Sequence, residues 1–420
     1  MKVFFDMVGC RLNQAEIDAL AIDLAQQGAE VVSKPDQADA IIINTCCVTA
    51  KASADSRKMI RHYRDSYPGM VISTGCWVSV DHNEAESISQ IAYPNESKNL
   101  IPTILSTDLL KSNLEMRAKP RLGKRSRTRG FVKVQDGCNN SCSFCLTTIA
   151  RGTSKSESIE TVIERVKQLE EMNVKEVVLT GVQLGSWGKD LQSRKNLWQI
   201  VEAILAETRM PRIRFSSIEP WDIDIELIKL LNHPRICSHI HIPLQNGSDL
   251  ILRAMRRPTT TSRYLEMIET IRETAPQVAI TTDIIAGFPG ETDELFSESF
   301  EFIQKCQFDG GHVFSFSPMT GTMAAKMCDQ VQSSTIKRRS KDLIGYFSDR
   351  ETSAKQAMIG KTGQVLFESK SIKNGETWYS GFTENYLRVN CKSTDDLLNQ
   401  IKTVTIQTSD LSKNLVAIIQ

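Results

Sequence analysis

The chain has 420 residues, 40% hydrophobic and 24% charged, and a formal net charge of +1. That is ordinary globular composition for two or three domains, without the global basic field that would announce nucleic acid. No apolar run approaches the ~18–20 residues that span a bilayer, and the apolar stretch in MKVFFDMVGC is too short for a secretory signal, so a cytoplasmic protein with no membrane contact is expected. In that reducing compartment its eleven cysteines point to metal ligation or redox chemistry before disulfides.

Residues 1–110 read as one α/β unit. Three apolar runs, VFFDMVGC (3–10), AIIINTC (40–46) and MVISTGC (70–76), each end in a cysteine, with helix-like stretches at 13–28 and 48–69 between them. Such alternation gives a parallel sheet whose strand C-termini line one ligand-binding edge. Cys10, Cys46 and Cys76 are therefore expected to converge. Buried structural cysteines are the plain alternative, but three at equivalent places favour a metal site. Cys47 adjoins Cys46, and strand alternation leaves only one of them facing it.

RAKPRLGKRSRTRG (117–130) holds seven basic residues and no acid. It reads as a solvated linker, compatible with tracking a phosphate backbone. Strand–helix alternation then repeats about six times over 131–350, with strands at 131–135, 176–183, 212–217, 238–245, 279–288 and 311–318. An open, partial barrel follows, its active face at the strand C-termini. His239 and His241 pair on the fourth strand with no third ligand nearby, so no metal is expected there. From about 355 the pattern becomes strand-like at 362–369, 377–390, 401–410 and 415–420, with turns at 374–375 and 412–414. This is a small antiparallel barrel, of a kind that often binds oligonucleotides. The expected units are 1–115, a basic linker 116–130, 131–354 and 355–420.

CNNSCSFC (138–145) directly follows the first barrel strand. Thiolates select soft metals, and a cubane with three protein thiolates keeps one iron open. An open position is how a metal site becomes reactive, so the missing ligand is read as a substrate or cofactor. Zinc is the alternative, but the nearest histidines are His82 and His233. Candidates to touch the cofactor lie past the strand ends: Gly181, Gln183 and Gly185; Ser217 and Glu219; His241 and Gln245; Gly287 and Gly290. A structural turn or satisfied polar group is the alternative for each. Cys237, Cys306, Cys328 and Cys391 fit no motif and are expected to pack. No catalytic residue is assigned beyond the cluster ligands.

VQDGCNNSCSFC resembles the cluster loop of radical S-adenosylmethionine (SAM) enzymes. GCRLNQAE (9–16), NTCCVT (44–49) and STGC (73–76) resemble the cysteine motifs of the methylthiotransferase N-terminal domain. GVQLGSWG (181–188), RFSSIEP (214–220), HIPLQNGSDLILRAMRRPTT (241–260) and TTDIIAGFPGET (281–292) resemble the same family's barrel motifs, and SGFTENYLRV (380–389) its TRAM domain, a small RNA-binding barrel. Over nearly its whole length the chain thus resembles the radical SAM methylthiotransferases. Motif by motif it resembles the subgroup that methylthiolates C2 of N6-threonylcarbamoyladenosine at tRNA position 37.

The resemblance implies two [4Fe-4S] clusters. Cys138, Cys142 and Cys145 would hold the one that binds SAM, with Phe144 near the adenine. Cys10, Cys46 and Cys76 would hold another, whose open iron takes the sulfur; the family pattern aligns Cys46 rather than Cys47. One SAM gives the methyl group and one the 5′-deoxyadenosyl radical. Implied partners are the tRNA anticodon arm, a flavodoxin- or ferredoxin-like electron donor and a sulfur donor; oligomeric state is not indicated. Trp378, Tyr379, Phe382 and Tyr386 are available for base stacking, with core packing the alternative for at least half of them. Alternatives are a methylthiotransferase acting on isopentenyl-adenosine-37 or a ribosomal protein, and a non-catalytic iron–sulfur RNA-binding redox sensor. The SAM-type loop argues against the sensor. After Cys145 the chain departs from the family's usual form: LTTIARG lacks its proline, and TSKSES replaces a basic run.

Overall fold

The computed structural model describes residues 1–109, 128–407 and 415–420. Most of the basic stretch and the turn at 412–414 lie outside the described residues.

The first unit is a parallel sheet of β1 (Lys2–Met7), β2 (Glu30–Val31), β3 (Ala40–Thr45), β4 (Met70–Gly75) and β5 (Ile91–Tyr93), in the order β2-β1-β3-β4-β5. Every residue of β3 is buried, because helices cover both faces of this central strand. Ile42 packs with Val3, Phe5 and Ile17 on one face, and Ile41 and Ile43 with Ile60 and Val71 on the other. The helix Ala50–Ser66 starts where Thr49 accepts the Ala52 N–H at 3.1 Å. With β1, β3 and β4 adjacent and parallel, their C-terminal ends lie side by side.

The second unit contains β6 (Arg129–Lys133), β9 (Glu176–Thr180), β10 (Arg212–Phe215), β11 (His239–His241), β12 (Ala279–Ala286) and β13 (Gly310–Ser315). A short antiparallel pair, β7 (Gln135–Asp136) and β8 (Lys155–Ser156), brackets the cysteine loop. The six long strands form two parallel sheets, β10-β9-β6 and β11-β12-β13, joined by bridges Ile213↔Ile236 and Ser217↔His241. The result is the expected open barrel. Ser158, Thr260 and Thr292 cap its helices, each accepting an N–H three residues on. Val177, Leu179, Ile213, Phe215, Ile240 and Ile280 face the helices in one core. The alternate positions put Glu176, Arg212, Arg214, His239, His241 and Asp283 inside the barrel as paired polar groups.

The helix Ser333–Met358 packs on β13 through Leu343 and Phe347, and the foreseen 354/355 boundary falls inside its last turn. The third unit is a closed barrel, β14 (Thr362–Lys373), β15 (Glu376–Thr383), β16 (Arg388–Lys392), β18 (Leu415–Ile419) and β17 (Ile401–Gln407), in the order β14-β15-β16-β18-β17. The stretch 377–390, expected as one strand, is broken between Thr383 and Arg388. There Thr383 Oγ1 accepts the Leu387 N–H at 2.9 Å, and Tyr386 adopts φ +70°.

That bend drives Tyr386 into the second unit, where its ring lies 5.1 Å from His239 and 4.9 Å from Phe382. Its hydroxyl accepts from Arg11 at 2.9 Å and Arg129 at 3.3 Å, so one tyrosine touches all three units. Packing takes more than half of the four aromatics, as the alternative to stacking had it: Phe382 and Tyr386 are engaged between units and Tyr379 is buried, while Trp378 stays half-buried. Arg129, counted with the phosphate-tracking residues, is committed to Tyr386 and Glu368.

Candidate active site

Cys10 is the N-cap of the helix Arg11–Gln26, Cys46 follows β3, and Cys76 opens the helix Cys76–Val80. Burial pushes the Cys46 thiol up to about 12, with Cys10 and Cys76 within electrostatic reach of it. Gly9 admits this approach: a Cβ there would meet Cys46 Cβ at 2.7 Å and Sγ at 2.9 Å, and its φ is +126°. Cys46 and Cys47 lie just beyond the strand, so alternation does not separate them. Cys47 donates to Cys76 and lies within electrostatic reach of Cys145 in the second loop. That hydrogen bond, and then Arg151 against the effect of burial, holds the Cys76 thiol down at about 6.

Arg151 latches the two cysteine sets together. It lies at the end of the helix Thr147–Arg151 that follows Cys145, with its side chain only 3% exposed. Its Nε donates to Cys76 Sγ at 3.0 Å, Nη1 to Glu16 at 2.8 Å and Asp136 at 2.9 Å, and Nη2 to Asn13 at 2.9 Å. Lys98 also donates to Glu16, at 2.6 Å. Burial pushes the Glu16 carboxyl up, but Arg151, Lys98 and Lys133 outweigh it and hold it well below the usual carboxylate range. Sequence reasoning missed this network. The ARG of LTTIARG and the E of GCRLNQAE were quoted as motif letters, but nothing local pairs residues so distant.

In the second loop the Asn140 N–H donates to Cys138 Sγ at 3.3 Å and the Thr147 N–H to Cys145 Sγ at 3.4 Å. Burial, against Arg257, pushes the Cys142 thiol up to about 11. Around the loop the candidate residues fall into groups. Gln183 accepts from Cys138 at 3.3 Å and donates to Asp222 at 2.9 Å. Gly185 lets Asp222 approach, and Gly181 stands against Gln135. Glu219 pairs with Arg257 at 2.7 Å, and Arg257 bonds Cys142; Ser217 is exposed. Phe144 packs against Ile251, Met255 and Phe288. Gly287 and Gly290 form the turn after β12 with positive φ, Gly287 packing against Ile336. Gln245 also has positive φ, and bridges Ile284.

His241 pairs with Asp283 at 3.2 Å. Here the sequence reading needs correction. A third group does stand near the histidine pair: Asp283 and His312 arrive from β12 and β13, which are neighbours in space but far away in sequence. A second correction concerns Cys328, which is exposed, whereas Cys237, Cys306 and Cys391 pack as expected.

A model of the Radical SAM superfamily matches residues 132–303, and one of Uncharacterized protein family UPF0004 matches residues 2–93. Threonylcarbamoyladenosine tRNA methylthiotransferase MtaB of Bacillus subtilis is 32% identical over 96% of this chain and 93% of its own length. The protein of the same name from Aquifex aeolicus is 34% identical over 93% and 96%. The chain belongs to the radical SAM tRNA methylthiotransferase family. Another relative, tRNA-2-methylthio-N(6)-dimethylallyladenosine synthase of Caldicellulosiruptor saccharolyticus, is 31% identical over 95% and 88%. Among solved structures, the radical S-adenosylmethionine methyltransferase TsrM from Kitasatospora setae, with cobalamin and a [4Fe-4S] cluster bound, superposes with a TM-score of 0.56 at 14% identity. It covers 77% of this chain and 73% of its own, and shares the fold.

Radical SAM methylthiotransferases use SAM and a [4Fe-4S] cluster, and the donor set around 138–145 fits both. Its thiols are free of disulfides, and two of them already accept backbone N–H bonds that suit a thiolate. When bound, the cluster and SAM supply a 5′-deoxyadenosyl radical; the chain's own residues orient and enclose it. Among the described residues no helix is long and apolar enough to cross a membrane.

Proposed function

We propose that this chain adds a methylthio group to C2 of N6-threonylcarbamoyladenosine at position 37 of tRNA. Cys138, Cys142 and Cys145 hold the SAM-binding cluster. Gln183, Glu219 and Arg257 line the space above it, and Phe144 backs the adenine. Cys10, Cys46 and Cys76 hold a second [4Fe-4S] cluster, and separate donors deliver electrons and sulfur. An aromatic C2–H is neither acidic nor a leaving group, so acid–base catalysis offers little and radical chemistry suits the task. The closed barrel of 362–419 holds the anticodon arm.

The observation that carries this reading is the latch. Arg151, just past the Cys138–Cys145 loop, is bonded to Cys76 and Glu16 of the first unit, which ties the two thiol-bearing regions together and supports one substrate serving both. The threonylcarbamoyl substrate is supported by relatives of that name aligned over nearly the whole chain. Nucleoside mass spectrometry of tRNA from a strain lacking the gene, with and without its restoration, tests it. The 2-methylthio derivative of threonylcarbamoyladenosine should vanish and return. Loss of the dimethylallyl derivative instead would assign the other nucleoside.

A further inference from the structure

Across β11, β12 and β13 the barrel interior carries a hydrogen-bonded chain that no step above uses. His239 Nε2 lies 3.0 Å and His241 Nδ1 2.9 Å from Thr281 Oγ1, while His241 Nε2 and His312 Nδ1 lie 3.2 and 3.1 Å from the same Asp283 oxygen. An ionised Asp283 can only accept, so both imidazoles present N–H to it. In the arrangement where His241 carries its one proton on Nε2, its Nδ1 accepts from the Thr281 hydroxyl, whose oxygen accepts from His239. This polarity engages both nitrogens of His241 and one of His312, leaving His312 Nε2 to face outward on a side chain 73% exposed. Two residues along the same face of β13, Phe314 is 44% exposed, an apolar ring roughly 6–7 Å away by strand geometry.

The place matters as much as the chemistry. Glu219, the partner of Arg257 beside Cys142, is within electrostatic reach of Asp283. Arg11, which follows Cys10, is within reach of His239 and His312. In contacts, His241 bridges Ser217, two residues before Glu219, and His239 stacks on the Tyr386 ring whose hydroxyl accepts from Arg11, so the site neighbours residues tied to each triad.

We propose that His312, anchored by Asp283 and flanked by Arg11, receives the carboxylate on the N6 substituent of the substrate nucleoside, while Phe314 stacks the adenine. This rests on the threonylcarbamoyl reading above. A threonylcarbamoyl group ends in a carboxylate that a cationic N–H donor recognises strongly. A dimethylallyl group has nothing to offer His312 or Arg11, and a site built for a polar partner rejects an analogue lacking it. The hydrogen bond to Asp283 raises the His312 imidazole above its ordinary value, toward the charged form, against the effect of burial.

The test uses the loaded full-length enzyme and anticodon stem-loops carrying threonylcarbamoyladenosine, adenosine or dimethylallyladenosine at position 37, with affinity read by fluorescence anisotropy. A charge-assisted bond corresponds to roughly a 10- to 100-fold preference for the carboxylate-bearing loop over the adenosine loop. In His312→Phe that ratio should collapse toward one, and in His312→Arg it should persist. In the wild type the ratio should fall as pH rises through the His312 pKa, with Asp283, His241, His239, Arg11 and Glu351 the groups around it; in His312→Arg it should not. Iron content reports folding, and His312→Gln replaces the Phe variant if that one fails to fold. A wild-type ratio in folded His312→Phe or His312→Gln overturns the inference and leaves the threonylcarbamoyl reading standing. A wild type without preference, together with unchanged tRNA in the deletion strain, overturns the reading itself. A stoichiometric non-iron metal present in the wild type and absent from His312→Phe would make the triad a metal site instead.

Discussion

Replacing Arg151 by Met tests whether the two thiol triads are held together electrostatically. The substitution keeps length but removes a guanidinium that is 3% exposed and bonded to Cys76, Glu16, Asp136 and Asn13. Glu16, 5% exposed, would keep Lys98 at 2.6 Å but lose its bidentate partner. Breaking a buried ion pair by removing one member costs roughly 3–5 kcal/mol, most of it the charge left behind. Arg151→Lys restores charge without the planar fork and should recover only part. Adding Glu16→Gln to Arg151→Met removes the stranded charge, so the double variant should be less destabilised than the sum of the singles by about 1–3 kcal/mol. Anaerobic urea unfolding, followed by cluster absorbance and by proteolysis between the first two units, measures the wild type, the three single variants and the double variant. If Arg151→Met unfolds within about 1 kcal/mol of wild type, or if the two substitutions simply add, the latch is not electrostatic and the juxtaposition of the triads needs another cause.

Iron assay after anaerobic reconstitution should give roughly eight irons per chain by the cubane count, and about four would remove the second cluster. Cys46→Ala should still form 5′-deoxyadenosine without transferring sulfur, whereas Cys142→Ala should do neither. Gly9→Ala forces a Cβ to 2.7 Å from Cys46 Cβ in a left-handed backbone, so it should lose the first-unit cluster while keeping the one at 138–145; equal loss of both would contradict that geometry. Burial raises the Glu176 carboxyl, but Arg214 and Arg212 outweigh it and hold it at about 2. Its contribution, about 3 kcal/mol, is therefore full above its unfolded value near 4.5 and lost as pH falls toward 2, so Glu176→Gln should flatten the acid limb of the stability–pH curve. Trp378→Ala should weaken tRNA binding by about 1–3 kcal/mol if it stacks a base, while Tyr386→Ala should loosen the C-terminal barrel from the rest; the opposite pattern would return Tyr386 to the RNA surface.

Local signals made much of the molecule legible. Period-2 and period-3.6 patterns put the first-unit and barrel strands within a few residues of their places, because burial of both sheet faces demands runs such as AIIINT. Cys10, Cys46 and Cys76 were readable as a set, because each ends a strand of one parallel sheet and parallel strands end together. The C-x3-C-x2-C loop needed no fold at all. What the tertiary structure decided is everything that joins distant segments. Arg151 and Glu16, 135 positions apart, became one ion pair only because the loop helix lies on the first sheet's edge. Tyr386 looked like a surface aromatic until a turn with positive φ placed it among Arg11, Arg129 and His239. His312 and Asp283 joined His241 because β11, β12 and β13 are hydrogen-bonded neighbours. Sequence spacing reports which face of one element a side chain takes; which elements meet is fixed by burial of whole faces, and that no single segment contains.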